Sequence, residues 1–252
     1  MSKLTIISHF YNEEYLLPWW LEHHKNIFDD GIMIDYNSTD SSVDIISNIC
    51  PNWKIVRSRN QYFDAPLVDQ EVMDYESEID GIKVCLNTTE FLIANTASIL
   101  EQMQDKTCLQ IKRICMIDVE PETVVDKKER LVDKKTSGFC LENARTRLND
   151  HKLPPPHRYI HKHKNGAYTS GRHSTLHPID AVLKEPILLY GKYSPWTQQT
   201  IDRRLAIKNK IPEHNVRCGM GIQHMASLSD IIEEKNHFEK NINIENYKQF
   251  AL

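Results

Sequence analysis

LTIISHFYNEEYLLPWWLEHHKNIFDDGIMIDYNSTDSS, from Leu4 to Ser42, is the stretch that decides the fold. Leu4-Thr5-Ile6-Ile7 is a short apolar, β-rich run, the pattern of a strand buried on both faces. It leads through Ser8-His9-Phe10-Tyr11 into an acidic turn, Asn12-Glu13-Glu14. A helix follows, with Leu16, Leu17, Trp20, Leu21 and His24 on one stripe. Pro18 fits that helix only in its first turn, where backbone N–H groups lack helical partners anyway. Gly31 ends the connection, and Ile32-Met33-Ile34 forms a second buried strand running into Asp35-Tyr36-Asn37-Ser38-Thr39-Asp40-Ser41. Two such strands joined by a helix form a parallel pair with a right-handed crossover. Ligands of such sheets bind beyond the carboxyl ends of the strands, where both polar turns sit. Asn12 and Ser38 also have the residue types of helix caps, but capping does not require Asp35, Asn37 and Asp40 together.

The 252 residues suffice for one large α/β domain or two small ones. A net charge of −4 argues against a protein held to nucleic acid by phosphate contacts. No apolar run reaches the roughly 18 residues of a membrane span, though peripheral contact with a membrane stays open. The first residues enter a strand directly, which leaves no room for a signal peptide. The six cysteines have no C-x-x-C spacing and several lie in apolar runs. They read as reduced core thiols of a reducing compartment, so a cytoplasmic location is expected.

Further along, Ser42 to Ile49 reads as a helix, and Trp53-Lys54-Ile55-Val56 as a third strand followed by Arg57-Ser58-Arg59-Asn60. Val68, Val72, Tyr75 and Ile79 mark an acidic helix stopped by Gly81, with Asp69 and Glu71 nearest the expected cleft. Ile82 to Leu86 is a fourth strand, which delivers Asn87-Thr88-Thr89-Glu90-Phe91-Leu92. A helix over 94–103, a long strand Leu109 to Ile117 and a mixed-charge segment 126–135 come next. Arg158 to His163 alternates like a strand, and Asn165-Gly166 is a tight-hairpin signal. His161 and His163 share a face of that strand, either as a metal pair or as a solvated polar face. In Gly171-Arg172-His173, glycine permits close backbone approach, arginine offers a planar fork for phosphate, and histidine is a common ligand or base. Tyr193 and Trp196 suit stacking on a sugar ring or packing in a core. A basic helix over 200–210, the glycine-flanked Gln223-His224 and an amphipathic tail from Asp230 complete the chain.

IDYNSTDSS resembles the VDDGSTDGT turn of family-2-type glycosyltransferases, and FYNEE resembles their opening N-E turn. That resemblance implies an α/β, GT-A-type Rossmann-like mixed sheet flanked by helices, here one domain over residues 1–252. Residues 1–106 would bind the nucleotide sugar, and 107–252 would hold the acceptor and end in a helix. It implies a glycosyltransferase that moves a sugar from a nucleotide-diphosphate donor, a UDP-sugar first, to a hydroxyl of a glycan, lipid or protein. Asn12, Glu13, Asp35, Asn37, Arg59 and Asn87 would then hold the donor. Asp118, Glu120 and His173 are candidates for the proton acceptor, with Arg172 neutralising the departing diphosphate. The position after the fourth strand matches the family's D-x-D motif, whose carboxylates hold Mn2+ or Mg2+. Here Asn87 and Thr89 stand in place of the aspartates, so the metal set is reduced to Glu90 with His173 and His224. If no metal binds, Arg59, Arg172 and lysines carry the charge. The alternative is a nucleotide- or carbohydrate-binding protein that keeps the GT-A fold without catalysis.

Overall fold

The computed structural model describes residues 3–119, 124–148 and 157–251. The first half alternates strand and helix: β1 (Leu4–Phe10), α1 (Leu17–His24), β2 (Asp30–Asp35), α2 (Ser42–Ile49), β3 (Lys54–Arg57), α3 (Ala65–Glu76) and β4 (Ile82–Cys85). These four strands lie parallel in the order β4-β1-β2-β3. Alternation along each strand serves two helix layers. Leu4, Ile6, Met33 and Val84 pack with Leu17, Trp20 and Ile46 of α1 and α2, while Ile7, Ile32, Ile34 and Cys85 pack with Val68 and Val72 of α3. Each aliphatic side chain buried there stabilises the fold by about 1.5–3 kcal/mol. Pro18 lies in the first turn of α1, as its missing N–H demands. Gly31 is required because a Cβ there would run into the Trp53 ring.

The second half adds β5 (Glu90–Ile93), α4 (Thr96–Gln102), β6 (Cys108–Ile117), α5 (Leu131–Lys134), β7 (Ser137–Cys140), α6 (Leu141–Leu148) and β8 (His157–His161). It ends with β9 (Ala181–Tyr193), α7 (Gln198–Ala206), α8 (Glu213–Arg217), α9 (Leu228–Asn241) and β10 (Glu245–Asn246). The sheet continues as β10-β7-β6-β8-β4, with β8 antiparallel to both β4 and β6, so one sheet runs through both halves of the sequence. β9 lies parallel to β6 and antiparallel to β5. This is the mixed, helix-flanked α/β sheet that the resemblance implied. Among the described residues no helix is long and apolar enough to cross a membrane.

Two local expectations change. Asn165-Gly166 does not close a hairpin; Gly166 N–H donates to Glu76 Oε2 at 2.6 Å, and only the isolated bridge Tyr168–Thr175 forms beyond it. His161 is buried rather than solvated, its Nε2 facing Glu76 and Tyr168 at 3.2 and 3.1 Å. The mixed-charge segment is exposed over 126–130 and enters the short helix α5, with Lys127 Nζ 3.2 Å from the centroid of the Trp19 ring and donating to Tyr15 O.

Candidate active site at the carboxyl ends of the parallel strands

The two turns quoted first are stitched to each other. Asn12 (φ 51°) and Asn37 (φ 62°) both take left-handed backbone, which asparagine tolerates better than most residues. Asn12 N–H donates to Ser38 Oγ at 3.1 Å and Asn12 Oδ1 accepts from Thr39 N–H at 2.8 Å. Glu13 N–H reaches Ser42 Oγ at 2.8 Å, and Glu14 N–H reaches Asp40 Oδ2 at 3.0 Å. The Asn12 amide is therefore engaged with the neighbouring turn. Asp35 is different: its Oδ1 accepts from Ser38 N–H at 2.8 Å, and its Oδ2 has no hydrogen-bond partner among the described residues. It is half-buried and keeps an acceptor oxygen for a ligand.

Glu13 turns to the second half of the chain. Its carboxylate is buried against Arg203 Nε of α7 at 3.0 Å, which ties the first turn to the second half of the chain. Burial pushes the Glu13 carboxyl above its ordinary range against the pull of Arg203. Arg59 is exposed and paired with Asp74 at 2.6 Å and Glu71 at 3.5 Å, so it points its charge along α3. Glu71 organises this loop: it accepts from Tyr36 OH, Ser58 Oγ, Arg59 N–H and Asn60 Nδ2 at 2.7–3.1 Å. Beside it lies a cluster of rings. Phe63 meets Tyr36 at 4.5 Å, His9 at 5.6 Å and Tyr11 at 6.4 Å between centroids, and Lys210 Nζ sits 4.2 Å over Tyr11.

The second focus is electrostatic. Trp20 Nε1 donates to Glu90 O at 2.9 Å and Asn87 O at 3.2 Å, so α1 fixes the loop from Asn87 to Glu90. The fully buried Glu90 carboxylate receives Arg113 Nη2 at 2.9 Å, Arg158 Nη2 at 3.0 Å, Arg158 Nε at 3.1 Å and Asn87 N–H at 2.8 Å. Burial raises its proton affinity, but Arg158, Arg113 and the Asn87 N–H outweigh it and hold the carboxyl below its ordinary value. Two guanidiniums already occupy these oxygens, so Glu90 is not presented to a metal ion.

Arg172 (φ 56°) is buried and donates from Nη1 to Asp69 Oδ1 at 2.5 Å and from Nη2 to Asn87 Oδ1 at 2.9 Å. Asp69 Oδ2 also takes Gly171 N–H at 2.5 Å, and Gly171 (φ 80°) needs the freedom glycine has there. Arg172 Nε is buried and has no hydrogen-bond partner among the described residues. His173 Nδ1 accepts from Arg158 Nη1 at 3.0 Å, which leaves the proton on Nε2. Its ring thus offers a donor rather than a base. His9 Nδ1 lies 3.4 Å from Arg172 Nη2. Burial, then Arg172, Arg158 and His224, hold His9 well below the usual histidine range.

His224 is lowered to about 4 by burial and by Arg203, Arg204 and Lys192, so it is neutral at pH 7 and close to a group of cations. Among the described residues no group of three His, Cys, Asp or Glu side chains is arranged to hold a metal ion, so Glu90, His173 and His224 do not form the expected set. Asp118 is taken up by Lys135 Nζ (2.6 Å), Ser194 Oγ (2.5 Å) and Trp196 N–H (3.0 Å). It anchors the Tyr193–Trp196 turn. Glu120 lies outside the described residues. A cavity of about 920 Å³ between α1 and 127–132, with Trp19, His23 and Phe91 in its wall, includes none of these turn residues.

Sequence reasoning missed Arg113, Arg158, Arg203, Tyr11 and Phe63. A charged residue inside the apolar run of β6 was the available signal for Arg113, since a buried charge demands a partner.

No protein-family model and no curated protein matches the chain. Solved structures do. S. aureus TarS 1-349 matches over 82% of this chain and 65% of its own, at 13% identity and TM-score 0.44. Its complex with UDP-GlcNAc gives 0.45 over 82% and 66%, also at 13% identity. Glucosyl-3-phosphoglycerate synthase from Mycobacterium tuberculosis, with Mn2+, UDP-glucose and phosphoglyceric acid, matches over 87% and 80% at 14% identity and TM-score 0.41. The chain spans just under two thirds of the TarS 1-349 fragment and 39% of the longer TarS structure. At these identities and scores the similarity assigns neither activity nor ligand to this chain.

Proposed function

We propose that this chain is a glycosyltransferase acting on a nucleotide-diphosphate sugar. The observation that carries the reading is the joining of the two sequence-motif turns at the carboxyl ends of β1 and β2, with Asp35 left one open carboxylate oxygen beside a cluster of aromatic rings. An acceptor-only carboxylate suits a base N–H, and half-buried rings such as Tyr11 and Phe63 suit its flat face. Uracil fits this pattern, so a UDP-sugar is the first donor to test. In the transfer, the bond between the anomeric carbon and the β-phosphate oxygen breaks, and the diphosphate keeps the electron pair. The acceptor oxygen bonds to that carbon and its proton passes to a base. Arg172 supplies positive charge at the leaving group, and His173 Nε2–H is a neutral donor beside it. Asp118 holds the acceptor wall through Ser194 and Trp196. Glu120, two residues further in sequence, is the proposed base.

A divalent ion does not fit the residues present, because the Glu90 oxygens are held by arginines and the D-x-D carboxylates are replaced by amide and hydroxyl. No step is therefore routed through one. The full use of the Asp118 oxygens by structural donors favours a second reading, a binding protein without turnover. A thermal-shift screen across UDP-, GDP- and CDP-sugars tests both. A bound donor at about 100 times its Kd adds about 2.7 kcal/mol of stability, a visible rise in Tm. No shift with any donor refutes nucleotide-sugar binding; a shift without release of free diphosphate in the presence of glycan acceptors selects the binding protein.

A further inference from the structure

We infer that this chain neutralises the diphosphate of its ligand with its own fixed cations, in place of the divalent ion that a D-x-D site recruits. The inference rests on the nucleotide-diphosphate reading above and deepens it.

Charge at the site is the decisive quantity. Around the loop that replaces D-x-D, Arg113, Arg158 and Arg172 meet two carboxylates, Glu90 and Asp69. Across from them Arg203 meets Glu13, while Arg204 and Lys192 share Glu234 at 3.3 and 2.6 Å. Six cations against four carboxylates leave an excess of two positive charges. A divalent ion would bring the same amount. A site built to recruit such an ion has the reverse balance, with carboxylates in excess.

The two groups are linked through His9, whose Nδ1 lies 3.4 Å from Arg172 Nη2, and through His224. His9 senses Arg172, Arg158 and His224, and His224 in turn senses Arg203, Arg204 and Lys192. Burial first, and then these cations, holds both histidines neutral.

Geometry agrees with charge. Asn87 occupies the first D-x-D position, and its Oδ1 accepts from Arg172 Nη2 at 2.9 Å. A carboxylate at that position would cancel the Arg172 charge; the amide steers the guanidinium without cancelling it. Asp69 bonds the other terminal nitrogen, and Arg172 Nε remains an unpartnered donor among the described residues. A guanidinium with donors to spare suits phosphate oxygens. Because Arg113, Arg158, Arg172 and Arg203 are fixed by buried carboxylates, they need no reorganisation as the leaving group gains its charge.

The test is calorimetric titration of the full chain with UDP, GDP and CDP, once in EDTA and once with Mn2+. The expected result is a diphosphate Kd within about twofold between the two conditions. It should weaken steeply with added salt, because the contacts are charge–charge. Mn2+ electron paramagnetic resonance should show no ion bound beyond what the free nucleotide binds. Arg172→Ala should weaken binding in EDTA at least tenfold, and Arg172→Lys should recover part of the loss. Binding at least tenfold tighter with Mn2+ overturns the inference and leaves the glycosyltransferase reading standing. No binding of any diphosphate in either condition overturns both. Circular dichroism checks the folding of the variants, and the wild-type comparison stands without them.

Discussion

Replacing Glu90 by glutamine measures the buried charge cluster directly. The wild-type carboxylate accepts two hydrogen bonds at Oε2, from Asn87 N–H at 2.8 Å and Arg158 Nε at 3.1 Å, and its Oε1 forms ion-pair contacts with Arg113 Nη2 at 2.9 Å and Arg158 Nη2 at 3.0 Å. Glutamine keeps the shape and one acceptor oxygen. Its NH2 group must face at least one of those donors, and both guanidiniums lose their counter-charge. Removing one partner of a buried ion pair costs about 3–5 kcal/mol. The variant is therefore expected to lose about 3–5 kcal/mol, a large share of the roughly 5–15 kcal/mol of a typical domain. Urea unfolding followed by tryptophan fluorescence reports it well, since Trp20 is hydrogen-bonded to the Glu90 carbonyl.

The pH dependence gives a second readout. The folded Glu90 carboxyl lies below its ordinary value of 4.5, so its contribution is complete above that value and is lost as pH falls through the folded one. The gap between wild type and Glu90→Gln should be constant from pH 8 to 5.5 and narrow below about 4.5. A loss under about 1 kcal/mol at pH 7, or a gap that does not narrow in acid, refutes the role assigned to Glu90.

Three further outcomes are expected. Asp35→Asn should keep the fold, because the amide oxygen can still accept from Ser38 N–H, yet weaken UDP at least tenfold in calorimetry; unchanged affinity removes Asp35 from the base site. With His224 at about 4 and His9 well below the usual range, neither gains a proton between pH 6 and 8. The kcat/KM for sugar transfer should then show no inflection near 6.5; one that disappears in His224→Asn would contradict the positive field. Asp118→Asn leaves Lys135 without its counter-charge in a buried pair, so stability should fall by about 3–5 kcal/mol while UDP affinity holds, and a loss of UDP affinity with the fold intact would place Asp118 at the donor instead.

The parallel half was legible because each of its signals is local. Leu4 to Ile7 and Ile32 to Ile34 declare two-faced burial, and the intervening stripe declares a helix, all within forty residues. β9 was half hidden: Pro186 breaks its pattern, and the ladder to β6 jumps register between Ile111–Leu183 and Arg113–Leu188 to pass it. β7 and α6 escaped notice, β7 being four residues long with a glycine in it. Site residues followed the same rule. The turns at Asn12 and Asp35 could be read from their types and order, but which atoms remain open could not. Asn12 and Glu13 carry the right chemistry for a ligand and spend it on Thr39 and Arg203, 27 and 190 positions away. Pairings at that separation leave no periodic trace.

The departure from D-x-D takes its physical meaning from those distant partners. Asn87, Thr89 and Glu90 by themselves describe a weak metal site, with one charge among them. With Arg113 arriving from β6 and Arg158 from β8, the one remaining carboxylate is needed to hold two guanidiniums inside the protein. Aspartate restored at Asn87 would attract Arg172, already 2.9 Å away, before it could recruit a dissolved ion. The neutral residues at 87 and 89 and the arginines are thus coupled through charge. Asn87→Asp alone should therefore leave Mn2+ without effect and weaken diphosphate binding, because it cancels charge in the site. If Asn87→Asp instead confers Mn2+-dependent UDP binding, the arginines do not control the charge of this loop.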